Sequence, residues 1–395
     1  MTRAAFRIDA RDGSARRGRL VCAHGEVETP AFVPLATSAT VKSLDGVEVE
    51  RLGFQMVLGN TFHLFIRPGH ELIGELGGLH EFMGWRRPII TDSGGFQVFS
   101  MGHGSIADEI KHRRGVQESR ILAIDEEGVR FRSYADGAER FMGPETSMEV
   151  QAALGSDVAL AFDECTPFHA SRDYTARSTE RTHRWLDRCI AWHDRHGPAG
   201  QLLFGIVQGG VHEDLRTQSA QRVASSAVDG IAIGGSLGER KEQMREVVDW
   251  SLASLPDERP RHLLGIGDVD DILASVAAGI DTFDCATPTR LARHGTALVA
   301  EPEARWRLDV KKPAWRRSRE PLAAACPCPA CRGHTRPYLH YLSRARELTA
   351  ARLLTLHTLT FVALLMEGIR DAITAGRLAD YARRVLEGDA PYSSA

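Results

Sequence analysis

The chain has 395 residues, 43% of them hydrophobic, which is enough apolar material to core one large domain or two ordinary ones. A formal net charge of −3 does not mark a nucleic-acid binder, and no apolar run approaches the roughly 18 residues that a membrane span needs. No basic start leads into an apolar stretch, so no signal peptide is expected. The 7 cysteines are odd in number and three of them are clustered, which fits a metal in a reducing compartment better than a disulfide framework, and a cytoplasmic location is expected.

Short apolar runs ending in polar or glycine residues recur along the chain at 29–38, 54–63, 87–97, 157–166, 202–210, 230–236, 262–268 and 282–289. Their apolar cores are short and uninterrupted, as expected of strands buried on both faces. Helical patterns fill most gaps. The stretch 144–155 opens on Pro144 and closes on Gly155. Others cover 212–228, 239–254 and 268–279, the last with Asp268 as its expected N-cap. Eight alternations over this length predict an α/β fold, a (β/α)₈ TIM barrel with insertions. An open doubly wound sheet is the other arrangement that alternation allows.

Between the third and fourth runs, 102–142 reads as an insertion. Its first half is glycine-rich and then charged, and is expected to be mobile. Its second half alternates like a small antiparallel hairpin. Beyond Val299 the character changes. Residues 305–319, RWRLDVKKPAWRRSR, carry seven Lys or Arg against one Asp, with two tryptophans between them. Such a stretch suits phosphate contact and base stacking, or simply a solvated basic face. A long helix is expected over 341–373, a short one over 379–387, and a loose tail after it. The predicted organisation is a barrel unit over 1–300, a zinc-binding subdomain over 301–373, and a C-terminal helix with its tail over 374–395.

The stretch ACPCPACRGH places Cys326, Cys328 and Cys331 in a C-x-C-x-x-C pattern. Three thiolates within six residues can wrap one Zn²⁺, and a fourth ligand from His334, His340 or His357 would close the tetrahedron. A closed site has no open position for water, so the expected role is structural.

In a barrel the functional groups lie at the C-terminal ends of the strands. The runs deliver Asn60 and His63, Asp92 and Ser93, Asp163 with Glu164 and Cys165, Gln208, Gly234 and Gly235, Gly265 and Gly267, and Asp284 with Cys285. Any one of these aspartates could be a helix cap; together they converge on one mouth. Carboxylates, an amide and exposed glycine backbone suit a flat heterocycle rich in N–H and C=O groups. No P-loop pattern and no histidine–carboxylate cage is present. His63 reads as a packed or hydrogen-bonded residue. Cys285, next to Asp284 on a strand, faces the other way and reads as packed.

TDSGGFQVFS (91–100), AFDECTP (161–167), FGIVQGG (204–210), AIGGS (232–236), TFDCATPTR (282–290), LGNTFHLFIRPG (58–69), TPAFVPLATSATVKSL (29–44) and the cysteine cluster together resemble the tRNA-guanine transglycosylase family, in its bacterial, zinc-bearing branch. The resemblance runs from about residue 5 to 372. It implies exchange of the wobble guanine of tRNAs with a GUN anticodon for a 7-deazaguanine. Asp284 would be the nucleophile and Asp92 the general acid/base. Asp163, Gln208, Ser93 and the Gly235 backbone would read the base, sandwiched between Phe96 and Leu264. Arg290, Arg293, Gly265 and Thr289 would meet the RNA. Cys326, Cys328, Cys331 and His357 would bind one structural zinc per subunit, and a homodimer is implied. Departures are GGSLGE where many members read GGLAVGE, Leu264 in place of Met, Thr358 in place of Asn, and the 102–120 segment. Direct salvage of queuine is a second reading with the same chemistry. A barrel hydrolase using the zinc is a remoter one, disfavoured by four ligands.

Overall fold

The computed structural model describes residues 5–100, 120–167 and 169–392. The eight apolar runs form one closed parallel barrel. Its strands are β1 (Ala31–Ala36), β2 (Val57–Gly59), β3 (Ile89–Thr91), β4 (Val158–Leu160), β5 (Leu202–Val207), β6 (Gly230–Ile233), β7 (Arg261–Leu263) and β8 (Thr282–Cys285). Closure comes from β8 pairing in parallel with β1, with Thr282 opposite Ala31 and Asp284 opposite Val33. That pairing excludes the open doubly wound sheet. Val33, Leu58, Ile90, Leu160, Ile206 and Ala232 fill one packed cluster contributed by six of the strands.

Phe6, Leu20 and Val27 join the same cluster. They come from an antiparallel sheet, Phe6–Asp12, Ala15–Cys22 and Gly25–Thr29, that the sequence reading did not pick out. Arg16 of this sheet is wholly buried and forks onto both carboxylate oxygens of Asp281, with Nε 3.1 Å from Oδ1. The plug is thereby tied to the start of β8.

The expected helices are present at Pro144–Leu154, Glu213–Ala224, Lys241–Leu252 and Val269–Ala278. Pro144 and Gly155 bound the first, Gly155 in the left-handed conformation at φ +68°. Asp268 sits at the N-cap position but makes no cap bond; its carboxylate takes Arg307 at 2.9 Å instead. A 25-residue helix, Arg172–His196, was not singled out. Its buried stripe includes Thr175, Ser178, Thr179 and Thr182, which do not read as apolar periodicity.

The inserted segment is described from Arg120 onward; the expectation for its first half lies outside the described residues. The second half is a three-stranded antiparallel sheet, Ile121–Ile124, Val129–Arg132 and Glu139–Met142, one strand more than a hairpin. The expected 341–373 helix is two helices, Arg336–Ala345 and Leu348–Thr374, because Arg346 turns left-handed at φ +61° between them. Leu348–Thr374 is long and apolar enough to cross a membrane, yet 67% of its most apolar window is buried in the fold. Phe361, Leu365, Ile369 and Ile373 pack there in one cluster with Phe32 and Phe283 of the barrel. The last helix is Leu378–Glu387, and Tyr392 in the expected tail packs against Phe361.

The basic stretch does not present its tryptophans for stacking. Trp306 is 7% exposed, and Trp315 donates to the Asp309 carbonyl at 2.9 Å beneath the Arg336 guanidinium.

Candidate active site and metal cluster

Asp92 follows β3 directly. Its Oδ1 accepts the Thr61 N–H at 2.9 Å and its Oδ2 accepts the Asn60 side-chain amide. Asn60 also caps the helix Thr61–Ile66 by accepting the His63 N–H at 2.9 Å. One asparagine therefore starts a helix and orients a carboxylate. Burial pushes the Asp92 carboxyl up to about 7; the Thr61 and Gly94 N–H groups oppose that, and the charges of Asp284 and Asp163 add to it. A carboxyl balanced near neutrality can both give and take a proton. His63 behaves as a hydrogen-bonded residue, with Nδ1 2.9 Å from the hydroxyl of Tyr134 in the inserted segment.

Asp163 lies beyond the end of β4. Ser93 Oγ donates to its Oδ1 and Gln208 Nε2 to its Oδ2, both at 2.6 Å. Burial nevertheless pushes this carboxyl up to about 6. Gln208 Oε1 is buried with no hydrogen-bond partner among the described residues. A Cβ on Gly235, which has φ +78°, would stand 2.2 Å from that oxygen. Gly235 therefore keeps open the space in front of an unsatisfied acceptor, at a backbone angle that suits glycine alone. Glu164 is drawn away from the mouth by Tyr174, at 2.6 Å, and Arg181. Burial pushes the Cys165 thiol up.

Arg216 was missed in the sequence because it sits within a helical stretch that reads as polar. It is wholly buried and donates to four carbonyls: Gly210 at 2.7 Å, Gly234 at 2.8 Å, Ser236 at 3.0 Å and Val207 at 3.1 Å. It ties the loop after β5 to the GGS loop after β6, and burial pulls its guanidinium down to about 9.

Asp284 is the third residue of β8. Its Oδ1 accepts the Gly265 N–H at 3.2 Å and lies 3.2 Å from Nε2 of His262 on β7. The sequence reading did not single out His262, which lies inside a strand core. Cys285 faces the other way, packed in the cluster that holds Phe32, and burial pushes its thiol up to about 11. A protonated, packed thiol is a poor nucleophile.

Phe96 is 45% exposed on the helix that starts at Gly95, and Leu264 is half-buried just after β7. Gly95 cannot carry a side chain, since a Cβ would meet the Asp163 carbonyl at 2.3 Å. On the helix Thr287–Arg293, Arg290 is exposed and Arg293 half-buried, with its Nε 3.2 Å from the Thr289 carbonyl. Thr289 is buried and its hydroxyl donates to the Ala286 carbonyl, so it braces this helix and presents no group outward.

In the C-terminal region His357 meets the three cysteines. Its Nδ1 lies 3.5 Å from Cys326 Sγ, 3.5 Å from Cys328 Sγ and 3.3 Å from Cys331 Sγ. Metal–sulfur and metal–nitrogen bonds of about 2.3 and 2.1 Å at the tetrahedral angle imply an S···N edge of about 3.6 Å. The observed spacings fit that edge. His357 Nε2 is 2.7 Å from the Leu298 carbonyl. A proton on Nε2 makes that bond and leaves the Nδ1 lone pair facing the sulfurs. The group could hold one metal ion. His340 is engaged with the Val310 carbonyl and His334 stacks on Tyr338. Thr358 accepts the Leu298 N–H at 3.4 Å.

A closed (β/α)₈ barrel with three carboxylates at its strand ends and a Cys₃His cluster beside it defines the class. The family model for queuine tRNA-ribosyltransferase matches residues 11–390. The chain is 52% identical over 388 residues to the queuine tRNA-ribosyltransferase of a Roseiflexus species, covering 95% of this chain and 97% of that one. It is 48% identical over 379 residues to that of Pelotomaculum thermopropionicum (95% and 96%) and 46% identical over 377 residues to that of Solidesulfovibrio magneticus (95% and 95%). The chain belongs to the queuine tRNA-ribosyltransferase family.

Proposed function

We propose that the chain is a tRNA-guanine transglycosylase that exchanges the wobble guanine of GUN-anticodon tRNAs for 7-aminomethyl-7-deazaguanine. The observation that carries this reading is the grouping of Asp92, Asp163 and Asp284 with the unsatisfied Gln208 Oε1 at one barrel mouth. Asp284 attacks C1′ of the ribose. The C1′–N9 bond breaks, its electron pair goes to guanine, and Asp92 supplies the proton that lets guanine leave neutral. The incoming base gives its N9 proton to Asp92, attacks C1′ and displaces the Asp284 carboxylate. Two inversions retain the configuration of the sugar.

Asp163, Gln208, Ser93 and the Gly235 backbone read the base edge, and Phe96 with Leu264 stacks on its faces. The base must leave its stack to reach them. Arg290, which is exposed, meets the RNA backbone, with Arg293 and the Gly265 backbone beside it. The Cys₃His group holds one zinc per subunit. Its four donors fill a tetrahedron, so the ion supplies rigidity and the base exchange runs through the carboxylates. Tyr338, Tyr341 and Leu348 are 42, 64 and 86% exposed near this group and suit burial in a homodimer working in the cytoplasm.

The test is base exchange on a GUN-anticodon tRNA, with guanine, 7-aminomethyl-7-deazaguanine and queuine compared. The expected outcome is incorporation of all but queuine. Tight tRNA binding without incorporation of any base would refute the enzyme reading, and preferred use of queuine would replace the substrate named here by the salvage substrate.

A further inference from the structure

Among the described residues, both polar contacts of the Asp284 carboxylate fall on one oxygen. Oδ1 accepts the Gly265 N–H and faces His262 Nε2, each at 3.2 Å. No hydrogen bond reaches Oδ2 among the described residues. His262 is wholly buried on β7, and its Nδ1 lies 2.8 Å from the hydroxyl of Thr282. Thr282 and Asp284 stand two residues apart on β8, so both side chains project from the same face of the strand. Nε2 has no aligned hydrogen bond among the described residues. A buried donor with no acceptor is costly, and the acceptor within reach is Asp284 Oδ1. When the Thr282 hydroxyl donates to Nδ1, the imidazole proton resides on Nε2 and points toward the carboxylate.

We propose that His262 is a positioning residue for the nucleophile: with the Gly265 N–H it holds Oδ1 and leaves Oδ2 to attack C1′. This rests on the transglycosylase reading. In the first half-reaction the Oδ2–C1′ bond forms as C1′–N9 breaks, and Oδ1 becomes the ester carbonyl oxygen, still facing the same two donors. In the second half-reaction N9 of the incoming base attacks C1′ and the C1′–Oδ2 bond breaks. Its electron pair returns to the carboxylate, where the charge is shared with Oδ1. Donors on Oδ1 stabilise the departing carboxylate in that step. A double displacement asks one carboxylate to attack and then to leave, and donors on its non-attacking oxygen favour the leaving.

The experiment is single-turnover kinetics with metal-loaded, full-length protein and a GUN-anticodon tRNA. Adduct formation and adduct breakdown on addition of guanine are timed separately. His262→Phe removes the donor, and His262→Gln restores an N–H. Thr282→Val frees the ring without altering either charge. The expected result is breakdown slowed by about 10²-fold in His262→Phe, with KM for tRNA and guanine within about twofold of wild type. At least tenfold of the loss should return in His262→Gln, and Thr282→Val should show a smaller slowing of the same step. If His262→Phe does not fold, as read from metal content and melting, Thr282→Val and His262→Gln decide. Wild-type breakdown rates in Thr282→Val and His262→Phe, or His262→Gln no faster than His262→Phe, would overturn the proposal alone. Wild-type protein that exchanges no guanine would overturn the transglycosylase reading together with it.

Discussion

The two ends of the barrel surround their aspartates with different partners, and burial raises Asp281 at one end as it raises Asp92 and Asp163 at the other. At the N-terminal end, Asp157, Asp229 and Asp281 stand just before β4, β6 and β8. Each accepts a backbone N–H from near the start of the neighbouring strand: Ile89 at 2.8 Å, Leu203 at 2.9 Å and Arg261 at 2.7 Å. Asp157 also takes the His24 N–H at 2.8 Å and faces the His80 ring. Burial pushes its carboxyl up, but the bonds from His80, Ile89 and His24 hold it below the ordinary carboxylate range. At the C-terminal end, burial raises Asp92 to about 7 and Asp163 to about 6, and one oxygen of Asp284 has no hydrogen-bond partner among the described residues. Parallel strands leave unpaired N–H groups at their starts and unpaired carbonyls at their finishes. A carboxylate at the start finds donors in the sheet itself. One at the finish depends on loops, and remains available to a substrate.

Breaking each end should therefore damage different properties. Asp284→Ala should lower base exchange by about 10⁴-fold or more and abolish the covalent tRNA adduct, with little change in melting temperature. An adduct trapped on that variant would end the nucleophile assignment. Asp281→Ala strands the buried Arg16 guanidinium and should cost about 3–5 kcal/mol in urea denaturation. The fraction that stays folded should exchange guanine at nearly the wild-type rate. A catalytic loss with unchanged stability there would dissolve the contrast between the ends. His357→Ala opens the cluster and should reduce bound metal well below one ion per chain, with faster proteolysis across 301–345. Elemental analysis and limited digestion measure these two effects.

The mouth was legible because polar residues end apolar runs: Asp92, Asp163, Gln208 and Asp284 all break a hydrophobic pattern at one edge. The opposite end was not, although its aspartates also flank the runs. Asp157 and Asp281 precede β4 and β8, and sequence does not say whether neighbouring strands will aim N–H groups at them. His262 and Arg216 were hidden for a related reason. One lies inside a strand core and the other on a polar helix, and both matter through the atoms they reach across elements. The antiparallel plug escaped because its strands carry several charges, with Arg16 buried only by virtue of Asp281, some 265 positions away. The left-handed turn at Arg346 leaves no glycine to announce it.

The smallest effect separates Asp92 from Asp157 most cleanly, because its sign reverses between these two residues. Native Asp92 keeps its proton up to about pH 7, while the unfolded chain releases it near the ordinary value of 3.8. Between those values the native state binds more protons, so this residue's contribution to stability falls as pH rises and levels off above about 7. From pH 5 to 8 the loss is about 3 kcal/mol. The melting temperature of wild type relative to Asp92→Ala should therefore be higher at pH 5 than at pH 8. Asp157 is held below the ordinary value. Its contribution is present above pH 4 and fades as pH falls through its lowered native value. Wild type relative to Asp157→Ala should thus begin to lose its advantage as pH falls below the ordinary value of 3.8, the opposite direction to the Asp92 effect. Shifts of the same sign in both variants would mean that burial governs both carboxylates, and that the His24, His80 and Ile89 donors do not offset it at Asp157.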